Sequence, residues 1–257
     1  MENNSYAPPT ATAPHSPLTA YYAGADEKDQ FVQEMFNSTA SDYDRIETIL
    51  ALGTGRWYRG QALKRAGLAP GMRVLDVGVG TGLVAREAAQ IVGDASLVAG
   101  IDPCPGMMKQ ANVPHGVHLS LGRAEEIPYG DASFDFLSMG YALRHISDLS
   151  VAFREFYRVL KPGGRICLLE ISAPTSAWGR FCLRGYMKLV VPTIAAVVGR
   201  QRNTRRLWQY YWDTIEACVP PGRVAETLQG AGFSEVRVYS DLKAMQFFSE
   251  YQGIKPI

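Results

Sequence analysis

The sequence lacks the features that mark several large classes of protein. It has four cysteines, Cys104, Cys167, Cys182 and Cys218, and no two of them form a C-x-x-C pair. A disulfide framework and a zinc site are therefore not expected, and the thiols read as buried, reduced groups of a cytoplasmic protein. No metal is expected. Charge of one sign is also missing: 26 Lys and Arg stand against 25 Asp and Glu, so bulk electrostatics favour no nucleic-acid partner. No apolar run reaches the ~20 residues of a bilayer span. The longest, 189–199, is interrupted by Pro192, so no transmembrane segment is expected. Residues 1–20 have neither a basic start nor an apolar stretch and do not read as a secretory signal. What remains is a chain of 257 residues, 47% hydrophobic and 20% charged, which suits one elaborated globular domain.

The densest local signal is Val74-Leu75-Asp76-Val77-Gly78-Val79-Gly80-Thr81-Gly82-Leu83-Val84-Ala85-Arg86. It reads as a buried strand, a tight turn and the first turns of a helix. Glycine at 78, 80 and 82 permits φ > 0 and close approach of a ligand to the backbone. The helix N-terminus beyond offers free N–H groups. Nicotinamide dinucleotides favour Gly-x-Gly-x-x-Gly. The spacing here is Gly-x-Gly-x-Gly, with Asp76 two residues ahead. That suits S-adenosylmethionine (SAM), a phosphate-free cofactor whose amino-acid end needs backbone contacts and a nearby acid. Asp102 ends the next apolar segment, where a carboxylate accepts both ribose hydroxyls; the competing role is a helix N-cap ahead of Pro103. Tyr157 and Lys161 have the Tyr-x-x-x-Lys spacing of some NAD(P)-dependent reductases. Lys161 precedes Pro162-Gly163-Gly164, however, which makes it a helix-end cation at the negative dipole end.

Along the chain, residues 1–25 are expected to form a mobile tail rich in Pro, Ala, Thr and Ser. Helices are expected over 26–36, after Ser41-Asp42-Tyr43-Asp44-Arg45 to about 52, and over 57–66. Strands then alternate with helices: strands 74–77, 96–101, 117–121, 133–139 and 165–171, with helices 83–92, 105–112 and 149–160. This predicts an α/β, doubly wound, mainly parallel Rossmann-like sheet. Residues 172–221 contain no strand pattern and predict two or three inserted helices, aromatic and basic. A helix over 224–231 and a strand pair, 233–240 and 244–249, complete a seven-stranded sheet whose last strand is antiparallel. A single domain is thus expected over 26–257.

Beyond the glycine turn stand Asp102 with Met107, Gly122-Arg123-Ala124-Glu125-Glu126-Ile127-Pro128, Ser133-Phe134-Asp135, Ala142-Leu143-Arg144-His145-Ile146-Ser147-Asp148 and Arg158-Val159-Leu160-Lys161-Pro162-Gly163-Gly164. Together they resemble class I SAM-dependent methyltransferases, more narrowly the ubiquinone/menaquinone-biosynthesis C-methyltransferase branch, over roughly 31–250. The resemblance implies that Gly78, Gly80 and Gly82 line the methionine end of SAM, that Asp102 holds the ribose, and that Pro103 is among the cofactor contacts. It places Met107 near the adenosine, Ala124 and Glu125 at the adenine edge, Met139 and Gly140 beside the sulfonium, and Tyr43 in an N-terminal lid. The chain departs from the pattern at Arg123, where the family often has an acid for the adenine amino group, and in the basic run 199–206.

Methyl transfer from a sulfonium is an in-line displacement, so the protein must mainly align the nucleophile and exclude water. His145 is the candidate catalytic base, against a structural role at a helix start. Tyr141, Arg144, Tyr186 and Tyr211 are the candidate substrate contacts. Arg144 either orients an anionic substrate or pairs with Asp148 or Glu155. Trp208, Tyr210, Tyr211 and Trp212 either wall a flat ring pocket or pack in a core. The arginines at 200, 202, 205 and 206 read as a solvated loop, with peripheral membrane contact the alternative. These features predict methyl transfer to a hydrophobic aromatic small molecule, a quinol, phenol or secondary metabolite, with carbon methylation ahead of oxygen or nitrogen. The rivals are a non-catalytic SAM-binding subunit of a biosynthetic complex and an NAD(P)-dependent reductase.

Overall fold

The computed structural model describes residues 12–50, 53–174, 176–198, 204–240 and 248–257. Expectations for 1–11, the arginines at 200 and 202, and 244–247 lie outside the described residues. The chain opens with α1 (Ala25–Leu50) and α2 (Gly55–Arg65), followed by β1 (Val74–Val77), α3 (Leu83–Val92), β2 (Val98–Asp102), α4 (Pro105–Lys109), β3 (His118–Leu121), β4 (Phe134–Gly140), α5 (Leu149–Val159) and β5 (Leu160–Ile171). Then come α6 (Ala177–Gly185), a π turn (Tyr186–Val190), α7 (Val191–Val198), α8 (Thr204–Ala217), α9 (Pro221–Gly230), β6 (Ser234–Ser240) and β7 (Phe248–Ile254).

The sheet order is β3-β2-β1-β4-β5-β7-β6. All pairings are parallel except those of β7 with β5 and β6. The order reverses between β1 and β4, and at such a switch point the crevice beyond the strand C-termini is left open for a ligand. β1 and β2 are buried at every position, as expected of strands covered on both faces. Helix α5 shows how one face is covered. Asp148 caps it, its Oδ1 accepting from the N–H groups of Ser150 (2.8 Å) and Val151 (3.4 Å). Phe153 and Phe156 are then buried in the core beside Leu160 and Tyr251, each worth about 1.5–3 kcal/mol.

Four boundaries differ from the sequence expectation for identifiable reasons. Helix α1 is continuous through Asn37-Ser38-Thr39-Ala40, because Thr39 Oγ1 and Ser38 Oγ donate back to the Met35 carbonyl at 2.7 and 3.0 Å and so fit within the helix. The Lys161-Pro162-Gly163-Gly164 turn lies inside β5 as an irregularity, with Gly163 at φ +78°. β7 runs later than expected, its register fixed by seven pairs with β5. Finally, the expected tail is packed from Thr12 onward: Leu149 N–H donates to the Thr12 carbonyl (2.9 Å), Val219 N–H to that of Pro14 (2.7 Å), and Tyr21 Oη to Asp213 (2.7 Å). A cap of α1, α6–α8 and residues 18–22 encloses its own apolar core, including Phe36, Met187, Trp208, Tyr211 and Trp212, above the strand C-termini.

Candidate functional site

A cleft opens at the switch point between β1 and β4. The space not filled by atoms there, its open mouth included, is about 1120 Å³. Its floor is the turn after β1. Gly78, Gly80 and Gly82 have φ of +69°, +53° and +85°, a region that side chains disfavour. A Cβ at Gly80 would project beside Met107 Cε (3.4 Å) and Asp102 Oδ2 (4.0 Å).

Asp102 is buried at the end of β2. Its Oδ2 accepts from Gly80 N–H and its Oδ1 from Cys104 N–H, both at 2.7 Å. It is not the N-cap of α4, whose cap residue is Cys104. Each carboxylate oxygen keeps acceptor capacity beyond one backbone bond, as a vicinal diol requires. Burial pushes its carboxyl up, against these two bonds. Asp76 is pushed up to about 7 by burial, although Ser138 Oγ (2.7 Å) and the Ala85 N–H donate to it.

The far end of the cleft is aromatic. Tyr43 and Tyr211 share a hydrogen bond between hydroxyls (2.6 Å), and Tyr43 stacks on Trp208. His145 stacks on Tyr210, meets Phe36 edge-on, and its Nε2 is buried with no hydrogen-bond partner. Burial, then the Arg144 charge, holds its imidazole well below the usual range, so the ring is neutral at pH 7. Tyr141 sits at φ +61° immediately after β4, a strained conformation of the kind found at ligand sites. Arg144 is fully buried and pairs with Glu170, donates from Nε to Thr214 Oγ1 (3.1 Å), and lies 4.2 Å from the Tyr211 ring centroid.

Of the sequence candidates, Tyr43, Gly78, Gly80, Asp102, Pro103, Met107, Ala124, Glu125, Met139, Gly140, Tyr141, His145 and Tyr211 line the cleft. Three do not. Gly82 caps α3, and a Cβ there would strike Val113 Cγ1 at 2.3 Å. Arg144 stands behind Tyr211, and its acid is Glu170 rather than Asp148 or Glu155, which serve the α5 cap and Arg158. Tyr186 is on the π turn, outside the cleft wall. The wall also holds residues that sequence reasoning missed: Asp29, Gln33, Glu47, Arg59 and Thr81. The first three share a helical face with Phe36 and Tyr43 once α1 is read unbroken. Arg59 is buried and pairs with Glu47 (2.7 Å), while its Nε has no partner. Asp29 accepts from Arg123 (2.6 Å) and from Ser147 Oγ (2.7 Å).

The model of the ubiE/COQ5 methyltransferase family matches residues 24–248. The chain belongs to that family. It is a SAM-dependent methyltransferase. It is 34% identical to the demethylmenaquinone methyltransferase of Symbiobacterium thermophilum, covering 82% of this chain and 87% of that protein. It is 31% identical to the ubiquinone/menaquinone biosynthesis C-methyltransferase of Geotalea daltonii, over 82% and 91%. In fold, this methyltransferase is similar to a SAM-dependent methyltransferase of Thermotoga maritima (TM-score 0.60, 22% identity, 87% and 99% covered). The cleft residues fit the cofactor: a carboxylate with spare acceptors, a glycine cradle that a side chain would fill, and a buried cation, Arg59, with an unused donor.

The buried neutral state of His145 has a measurable consequence. Below about pH 6.5 the unfolded chain protonates this histidine while the folded protein does not, so stability rises with pH through that window and is lost on acidification. Replacing His145 by Asn should flatten the wild-type loss of unfolding free energy between about pH 7 and 5; superimposable pH profiles of the two proteins would show that His145 titrates normally.

Proposed function

We propose that this methyltransferase places a methyl group on a ring carbon of a hydrophobic quinol, with a phenol-like oxygen or nitrogen acceptor of secondary metabolism as the second substrate class. The observation that carries the proposal is the aromatic end of the cleft: Tyr43, Tyr141, Tyr211 and a neutral His145 with a free Nε2. The names of the relatives, which act on demethylmenaquinone or in ubiquinone and menaquinone biosynthesis, support it.

In this reading Asp102 holds the ribose, Met107 and Pro103 bracket the adenosine, and Arg59 takes the methionine carboxylate. Asp29 and Glu125 supply at the adenine edge the acid that Arg123 displaces. SAM, when bound, supplies an activated methyl on its sulfonium. The aromatic wall aligns the ring and excludes water. A quinol that has lost one hydroxyl proton carries negative charge onto the adjacent ring carbon, and the buried Arg144 cation behind Tyr211 stabilises that charge. After the carbon takes the methyl, its hydrogen leaves as a proton to His145 Nε2 and the ring becomes aromatic again. The ring oxygen then regains a proton and S-adenosylhomocysteine departs, so that overall one proton is released and the oxidation level of the ring is unchanged.

We further propose one methyltransferase domain over 26–257, with 172–221 as its substrate-side insertion, in a reducing cytoplasmic compartment. The four free cysteines support that compartment. Among the described residues no helix is long and apolar enough to cross a membrane. The test is a transfer assay with methyl-labelled SAM and a panel of reduced quinones, phenols and indoles, read by mass spectrometry. The label should appear on a quinol ring carbon; label only on oxygen or nitrogen would favour the second class. Binding of SAM with no labelled product from any ring acceptor would overturn the substrate proposal.

A further inference from the structure

One helical run, α6 through the π turn to α7, is apolar on two sides. Its inner side, Leu183, Met187 and Val191, is buried in the cap core with Leu207, Trp208 and Trp212. Its outer side should be polar in a protein that meets only water. Instead Trp178, Phe181 and Leu189 are 69%, 69% and 70% exposed, and Val190 is 43% exposed. Trp178 and Phe181 stack on each other with centroids 5.8 Å apart. Large apolar side chains exposed together on one short helical run mark an interaction surface.

The charges around the patch say what it meets. Arg180, Arg184 and Lys188 are exposed on the same run. Residues 171–212 carry seven of the chain's 26 Lys and Arg and none of its 25 Asp and Glu. The rest of the molecule is therefore net acidic, and three of these cations, Arg180, Arg184 and Lys188, stand on the same helical run as the exposed aromatic side chains. A second copy of the chain would bring two such basic faces together across a twofold axis, at a cost in repulsion. A nucleic acid would use the cations and leave Leu189 and Val190 in water. An anionic lipid surface satisfies both: the phosphates take the cations and the interfacial region takes Trp, Phe and Leu.

We propose that the outer face of α6 and the π turn docks this methyltransferase on an anionic bilayer. The inner face of the same run packs against α8, whose Tyr211 lines the cleft. Docking thus seats the cover of the aromatic end directly on the lipid, and a hydrophobic acceptor reaches the cleft without crossing water. The benefit to turnover rests on the substrate class proposed above; the docking itself does not.

The test uses the full chain with vesicles of phosphatidylcholine alone and of phosphatidylcholine mixed with phosphatidylglycerol, followed by flotation. Binding should be confined to the mixed vesicles and should fade as salt rises from about 0.05 to 0.5 M. Trp178→Ala/Phe181→Ala/Leu189→Ala should weaken it about 100-fold, and Arg180→Glu/Arg184→Glu at least tenfold. Both variants should keep the thermal shift given by S-adenosylhomocysteine, which reports the fold and the cofactor site independently of any acceptor. Absence of binding to the mixed vesicles, or equal binding by wild type and both variants, would overturn the proposal. So would a wild-type dimer in sedimentation velocity that the triple variant turns into a monomer, since a second copy would then be the occupant. A failed transfer assay with quinols would leave these readouts unchanged.

Discussion

Asp102→Ala should lower the affinity for S-adenosylhomocysteine by two to three orders of magnitude, or about 3–4 kcal/mol. Two ribose hydroxyls would lose a charged acceptor, each such hydrogen bond being worth about 1.5–3 kcal/mol. The N–H groups of Gly80 and Cys104, which now donate to the carboxylate at 2.7 Å, would also be left without their partner, loosening the turn that forms the floor of the cleft. Titration calorimetry reads the effect directly. Methylthioadenosine, which has the ribose and adenine but no amino acid, makes the assignment specific. Asp102→Ala should weaken both ligands, whereas Arg59→Gln should weaken only S-adenosylhomocysteine. An Asp102 variant that binds S-adenosylhomocysteine within threefold of wild type would remove the carboxylate from the ribose site.

Replacing Arg144 by Met should destabilise the fold by about 3–5 kcal/mol, the cost of leaving a buried carboxylate without its partner. The arginine and Glu170 are both essentially inaccessible to solvent, and burial already pushes the Glu170 carboxyl up despite the guanidinium beside it. Losing that cation would force Glu170 to take a proton or to admit water. The double variant Arg144→Met/Glu170→Gln should recover most of the loss in urea unfolding, because no unpaired charge remains. Methyl transfer should stay impaired in the double variant, since the cation behind Tyr211 is still missing. A single variant within 1 kcal/mol of wild type would mean that the pair contributes no more than a surface ion pair.

The two residues show different degrees of legibility in the sequence. The place of Asp102 beside the glycine turn could be read from its neighbours in the chain: an acid ending an apolar strand, following a glycine turn. Gly82 looked equivalent to Gly78 and Gly80 because the motif is periodic, yet its added Cβ would meet Val113 rather than the cleft. The partner of Arg144 was sought among acids nearby in sequence, whereas Glu170 is on the neighbouring strand, 26 residues on. In the region of α1 the sequence expectation ended one helix at Phe36 and began another further on. That misplaced the phase of the helix and hid Asp29, Gln33 and Glu47 from the list of cleft residues.

By itself the sequence determined the alternation of strands and helices, the glycine turn and the acid that faces it. These depend on backbone conformation and on hydrophobic period, which neighbouring residues set. Only the tertiary structure decided which charges compensate one another and which side chains share the cleft. Tyr43 meets Tyr211 across 168 residues, and Asp29 meets Arg123 across 94. Such contacts are set by strand order and by the seat of the cap on the sheet, and no local pattern encodes either.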